Sequence, residues 1–327
     1  MILDKEFPIV VMGANASGKT LLSLNIAKKI NAEIISADSR QIYKHLRAGT
    51  SKPNGKWETL NGDSVYITEN VPYHLVDFLN PNSTYDVSMY SNDFFNALNS
   101  IKKRDKKLII AGGTGMYINS IFNGIDKLPQ ANQELRNELY SFAEKNGKQA
   151  LHEKLRQLDP LSAERIPPGN IQRVIRAIEI SIMTNSPASR LLSGNFYRDI
   201  SFLNGIFVFL KWDKKILKER IKNRTESEFE NWVNETQNLL SMGYAEDCPA
   251  LKSLGYPQII DYINGKIERK EAINKIVNLS MSYAKRQNTW FSRYKKSLIL
   301  EFKKEEEFEI NKFSDLIVEQ YLQKNSK

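Results

Sequence analysis

Ile9-Val10-Val11-Met12 is an unbroken apolar run of strand length, and small and polar residues follow it at once: Gly13-Ala14-Asn15-Ala16-Ser17-Gly18-Lys19-Thr20. The next stretch, Leu21-Leu22-Ser23-Leu24-Asn25-Ile26-Ala27, has the composition of a helix. Apolar runs of the first kind recur at Glu33-Ile34-Ile35-Ser36-Ala37, Leu108-Ile109-Ile110-Ala111 and Ile206-Phe207-Val208-Phe209-Leu210, and Pro72 opens a shorter core segment. Tyr90, Phe94, Leu98 and Ile101 mark one face of an amphipathic helix over 84–103. Continuous strands alternating with helices predict an α/β fold, a P-loop NTPase-like parallel sheet with helices on both faces. Residues 47–64, with Gly49, Pro53, Asn54, Gly55, Asn61 and Gly62, read as a long surface loop.

Between 129 and 198 the pattern changes to helix alone, at 133–146, 147–158 and 170–184, with breaks at Asp159-Pro160 and Pro167-Pro168-Gly169. This predicts a helical insertion domain over 126–199 in a core made of 1–125 and 200–327. Helices are expected at 214–242, 254–263 and 270–294, with Leu298-Ile299-Leu300-Glu301-Phe302 as a last edge strand.

Composition narrows the class. A chain of 327 residues, 41% hydrophobic and 26% charged, suits a soluble globular protein of about two domains. No apolar run approaches membrane-spanning length, and the acidic stretch from Met1 to Phe7 lacks the character of a secretory signal. One cysteine, Cys248, excludes a disulfide framework and a Cys-rich zinc site, so the cytoplasm is the expected compartment. The net charge of +9 suits a chain that holds nucleic acid, and equally one that charge keeps soluble.

Residues 13–20 complete the G-x-x-x-x-G-K-[ST] pattern in its strand–loop–helix setting, which makes a cradle for a di- or polyphosphate. Backbone N–H groups and the helix N-terminus face the anion, Lys19 adds charge, and Thr20 can hold Mg²⁺. A hydrolase of this kind usually needs a second acid at a strand end, yet residues 108–111 run into Gly112-Gly113. Asp38 is the acid well placed beside the loop, as general base, as indirect metal ligand, or simply as cap of the turn at Ser39-Arg40. Gly112-Gly113-Thr114-Gly115 permits close approach to a ligand at the same edge. Asn170 can cap a helix in which Ile171, Ile175, Ile178 and Ile182 form the buried stripe, leaving Arg173 and Arg176 together for phosphate oxygens or for solvent. Lys285-Arg286-Gln287 with Trp290 and Arg293 mixes cations with aromatic groups in the manner of RNA contacts. His45, His74 and His152 have no ligand spacing, so no metal beyond magnesium is inferred.

Together these stretches resemble the tRNA dimethylallyltransferases, the isopentenyl-tRNA transferase family. The similarity runs in order through residues 13–20, Ile35 to Tyr43, Gly49-Thr50-Ser51-Lys52-Pro53, Gly112 to Tyr117, Gln172 to Glu179, Leu254-Gly255-Tyr256 and Tyr283 to Phe291. Asn15 stands where the family commonly has Thr, Ser51 where it has Ala, and the loop over 53–70 is expanded. The resemblance implies transfer of a dimethylallyl group from dimethylallyl diphosphate to N6 of the adenosine 3′ of the anticodon. Asp38 would be the general base, and Lys19 and Thr20 would act on the leaving diphosphate. Gly13, Ala14, Asn15, Ala16, Ser17 and Gly18 would hold that diphosphate, with Arg220 and Arg224. For the anticodon stem-loop of tRNA it implies Asp38, Ser39, Arg40, Gln41, Thr114, Arg136, Gln172, Arg173, Val174, Ile175, Arg176, Lys285, Arg286 and Gln287. It further implies a monomer with no membrane contact. A P-loop kinase of a small acceptor, prenyl transfer to free adenine nucleotide, and a non-catalytic RNA-binding regulator are the other readings open at this stage.

Overall fold

β1 (Ile9–Gly13) is central to an eight-stranded sheet. The chain continues through α1 (Lys19–Ile30), β2 (Ala32–Ser36), β3 (Lys56–Leu60), β4 (Asp63–Thr68), β5 (Val71–His74), α2 (Val87–Lys103), β6 (Lys107–Gly112) and α3 (Gly115–Asn123). The chain then runs through α4 (Gln133–Leu158), which Gly147, at φ +85°, breaks into the two helical stretches expected, α5 (Pro160–Arg165), α6 (Ile171–Thr184) and α7 (Ala188–Leu191). The sheet resumes with β7 (Ile206–Trp212), then α8 (Lys214–Ser227), α9 (Phe229–Ser241), α10 (Tyr256–Ile263), α11 (Arg269–Phe291), β8 (Leu298–Phe302) and α12 (Ile310–Asn325). The computed structural model describes residues 7–60, 62–192 and 194–325. The chain divides into a sheet unit, Met1–Phe122 with Asp199–Lys327, and a helical unit, Asn123–Arg198. Among the described residues no helix is long and apolar enough to cross a membrane.

The strand order is β3-β4-β5-β2-β6-β1-β7-β8, parallel from β5 to β8. Alternation along β1 sends Ile9 and Val11 into one core with Ile34, Ile109 and Val208, and Val10 and Met12 into another with Ile35, Ile110 and Phe207. Two buried faces explain why these strands read as continuous apolar runs. The chain leaves β1 for β2, returns to fill the gap with β6, then crosses to β7 on the other side. That reversal opens a crevice beyond the carboxyl ends of β1 and β6.

The loop expected over 47–64 is in part a hairpin, since β3 and β4 pair antiparallel and extend the sheet through β5. β3 is half-exposed, so it lacks the apolar run that marks the central strands. Asn61, counted in that loop, lies outside the described residues, as do Met1 to Glu6 of the expected acidic start. α2 begins at Val87 because Asp86 accepts hydrogen bonds from Ser88 N and Met89 N, both at 2.9 Å.

The helical unit has its own core, which includes Leu139, Leu151, Leu155, Val174, Ile175 and Ile178. Asn170 caps α6 as expected, its side chain accepting from Arg173 N. The stripe is displaced from the one expected: Ile171 is only half-buried and Ile182 is exposed, while Val174 and Ser181 face inward. The reason is Glu179, fully buried on α6, which draws that face toward α4. It accepts from Asn132 N at 2.6 Å, Arg136 Nε at 3.0 Å and Arg176 Nη1 at 2.6 Å. Arg176 also donates to Pro129 O at 2.8 Å. Arg173 and Arg176 therefore do not share one free face.

A second buried acid, Glu33 of β2, ties strands to helix. Arg104 donates to it through Nε and Nη2, both at 2.8 Å, and His74 Nε2 lies 2.7 Å away. Burial alone would raise the Glu33 carboxyl, but the hydrogen bonds and charge of Arg104 and His74 prevail and lower it from 4.5 to about 2. A carboxyl depressed in the fold stabilises it above its unfolded value, and that contribution is lost as pH falls from about 4.5 towards 2. Glu33→Gln is expected to lower the unfolding free energy by about 2–4 kcal/mol near neutral pH and by far less near pH ~3, measured by urea titration. An equal effect at both pH values would refute the assignment.

Candidate active site

Strand register brings the site together before any side chain is considered. Met12 pairs with Gly112, Gly13 with Leu210, and Ser36 with Ala111, so the turns after β1, β2 and β6 emerge at one edge. β6 ends in glycine because a Cβ on Gly112 would overlap the Ala37 carbonyl. Thr114 N donates to Ala37 O at 3.0 Å, and Ser39 N donates to Thr114 Oγ1 at 3.1 Å. The two turns thus grip each other with Asp38 between them.

The phosphate loop is braced from a distance of 272 residues. Asn15 N donates to Gln287 Oε1 at 2.9 Å, and Gln287 Nε2 donates to Gly113 O at 2.9 Å. Gln287, expected at RNA, is buried, and its amide joins loop to strand end through this bridge. Lys19 Nζ curls back onto Ala14 O at 2.6 Å. Burial lowers its pKa to about 8, Asp38 opposes that shift, and the Arg224 charge adds to it. Ser17 Oγ and Asn15 Oδ1 are buried and hold no hydrogen bond among the described residues, the condition of polar groups whose partner is a ligand, ion or water.

Around the loop lies a cavity of about 820 Å³, whose walls include residues 15–21, Asp38, Tyr73, Gly112, Arg220 and Arg224. Arg220 comes from α8, stacks on Trp212 with its guanidinium 4.1 Å from the ring centre, and donates from Nε to Ala16 O at 2.8 Å. Arg224 is one turn further along, and burial lowers its pKa. Lys19, Arg220 and Arg224 thus surround a volume suited to an anion.

Asp38 stands across from them. Its Oδ1 accepts from Arg40 N at 2.8 Å and Gln41 N at 3.3 Å, while Oδ2 holds no hydrogen bond among the described residues. The acid therefore caps its turn and keeps one oxygen available. Tyr73 lines the same cavity, and burial first, then the Asp38 charge, raises the hydroxyls of Tyr73, Tyr117 and Tyr283, the last to about 12.

The IPP transferase family model matches residues 41–294. The chain belongs to this family. It is 48% identical over 287 residues to a tRNA dimethylallyltransferase of Elusimicrobium minutum, with 88% of this chain and 92% of that one covered. The corresponding figures for a tRNA dimethylallyltransferase of Alkaliphilus oremlandii are 37% over 295 residues, with 89% and 90% covered. The fold is similar to the crystal structure of a full-length tRNA isopentenylpyrophosphate transferase from Bacillus halodurans, with TM-score 0.66, 30% identity, and 98% and 99% of the two chains covered.

Other shared family stretches have structural work. Glu235 of α9 accepts from Arg47 N at 2.7 Å, Ala48 N at 2.9 Å, Gly49 N at 3.1 Å and the Tyr256 hydroxyl, which fixes the loop before Lys52. Gln41, expected at RNA, is buried and donates to Thr50 O and Ser51 O. Val174 and Ile175, also expected there, belong to the core of the helical unit, so their side chains cannot meet a partner. Arg136 and Arg176 are half-buried and joined to Glu179. Arg40, Gln172, Arg173, Lys285 and Arg286 are exposed. Local pattern did not single out Trp212, Tyr73, Tyr117 or Tyr283 beside the loop and Asp38. Only the fold places them there.

Proposed function

We propose that this chain transfers the dimethylallyl group of dimethylallyl diphosphate to N6 of the adenosine 3′ of the anticodon in tRNA. The prenyl carbon–oxygen bond breaks, the carbon–N6 bond forms, the amine proton passes to Asp38, and diphosphate leaves. The observation that carries this reading is the pairing of an anion site, ringed by Lys19, Arg220 and Arg224, with one carboxylate whose Oδ2 is available. The cations stabilise charge that grows on the leaving group. An exocyclic aromatic amine is a poor nucleophile, so a base beside it is useful. The target base must leave its stack to enter such a cavity.

Magnesium, when bound, would add charge neutralisation at the leaving diphosphate. Thr20 and the unpartnered Asn15 Oδ1 are hard oxygen donors at the cavity. They suit an ion that keeps several waters and substrate oxygens as ligands. Among the described residues no group of three His, Cys, Asp or Glu side chains could hold a metal ion. We assign RNA backbone contacts to the exposed Arg40, Lys285 and Arg286 of the sheet unit and, separately, to Gln172 and Arg173 of the helical unit, because phosphate contact supplies most non-specific affinity. We further propose that the protein acts in the cytoplasm, where a tRNA acceptor is met.

The test is the mass of nucleosides from tRNA incubated with this protein, Mg²⁺ and dimethylallyl diphosphate. One adenosine per reactive tRNA should gain a five-carbon prenyl unit. Label passing from ATP to a small acceptor, with tRNA unchanged, would overturn the reading in favour of a kinase.

A further inference from the structure

After β8 the chain turns back over the phosphate loop. Lys303 N and Lys304 N donate to the Glu307 carboxylate at 2.6 and 3.3 Å and fold residues 303–307 into a tight turn. The Phe308 ring then lies on the loop itself: a Cβ on Gly18, whose φ is +90°, would come within 2.5 Å of it. The same ring is 5.6 Å from Trp212 and 5.2 Å from Phe302. Beyond it α12 runs along α1, where Ser314 Oγ donates to Asn25 Oδ1 at 2.7 Å and Lys29 pairs with Asp315. This C-terminal strap places Lys304, Glu305 and Glu306 in the wall of the phosphate cavity. There Glu305 forms an ion pair with Arg220 Nη1.

Acids in the wall of an anion site work against binding unless they move. Arg220 is held in place by Ala16 O and Trp212, with its side chain 19% exposed, whereas that of Glu305 is 57% exposed. The arginine is therefore the fixed partner and the glutamate the one that can leave. A carboxylate and a phosphate use the same guanidinium edge. We propose that Glu305 is an internal counter-anion of the leaving-group site: it occupies Arg220 until diphosphate takes its place, and its return speeds diphosphate release after transfer. This inference rests on the proposed diphosphate-releasing function. It makes residues 303–309 part of the reaction cycle, although they lie beyond the stretch that the family model matches.

Glu305→Gln removes the competing charge and keeps the size of the side chain. Calorimetric titration of the full chain with inorganic diphosphate and Mg²⁺ should show binding roughly 2- to 5-fold tighter than wild type, the scale of one partly exposed ion pair. Single-turnover prenyl transfer should stay near the wild-type rate while steady-state turnover falls. Glu309→Gln, in the same segment but outside the cavity wall, should leave diphosphate affinity unchanged. In an Arg220→Ala background the Glu305→Gln gain should vanish. Wild type that binds diphosphate while Glu305→Gln binds it no more tightly overturns the counter-anion alone. Wild type that fails to bind diphosphate at all overturns the functional reading together with it.

Discussion

Lys19→Ala is expected to lower kcat/KM for dimethylallyl diphosphate by about 10²- to 10³-fold, the scale found when one donor to a developing anion is removed. Lys19 is the mobile cation of the loop, parked on the Ala14 carbonyl and free to turn into the cavity. Affinity for tRNA, read by filter binding, should change by less than about threefold, because other exposed cations carry the RNA backbone contacts. Burial holds the Lys19 pKa at about 8 in the free protein. The charge is thus in place below that pH and is lost as pH rises through it, so diphosphate affinity should be level below pH ~8 and weaken above. Binding of the anion should take up protons in the same range. Lys19→Arg, which stays charged, should abolish the inflection. A wild-type affinity that stays level well above pH ~8 would show that Lys19 does not titrate there.

Asp38→Asn should reduce the single-turnover rate of prenyl transfer by about 10²- to 10⁴-fold while tRNA still binds. The amide can still accept from Arg40 N and Gln41 N, so the turn and the fold should survive, with thermal unfolding as the check. What the variant lacks is the carboxylate oxygen that takes the N6 proton. Asp38→Ala should lose the same activity and some stability as well, since the cap goes too. Turnover within about tenfold of wild type in Asp38→Asn would remove the general-base role and leave the residue as a cap.

Much of the site was legible because its parts are local. Residues 13–20 carry strand end, glycine loop and helix start in sequence, and the apolar runs at β1, β2, β6 and β7 follow from burial on both faces of a parallel sheet. Asp38 could be placed at the ligand crevice because an acid two residues beyond such a strand has few other positions available. β3 has no local signature, since an edge strand without a buried residue shows neither a continuous apolar run nor clean alternation. The Glu179 pairing of Arg136 and Arg176 is not legible locally, for a different reason. Their basic, helical setting is the same whether they face phosphate or a buried Glu179, and only packing between α4 and α6 decides. Gln287 sits within a basic and aromatic stretch that points to RNA, yet its own amide faces inward to the loop.

By itself the amino-acid sequence determined the phosphate cradle, the parallel α/β core, the helical insertion and the family. Each depends on short-range pattern: strand runs, glycine placement, and motifs in fixed order. The tertiary structure decided which charges are available. It paired Arg136 and Arg176 with Glu179, made Gln287 a brace, placed Tyr73 in one cavity wall with Asp38, and folded Glu305 onto Arg220. Those pairings join residues far apart in the chain, and the energy of a charge depends on its burial and nearest partner. No local window of sequence contains that information.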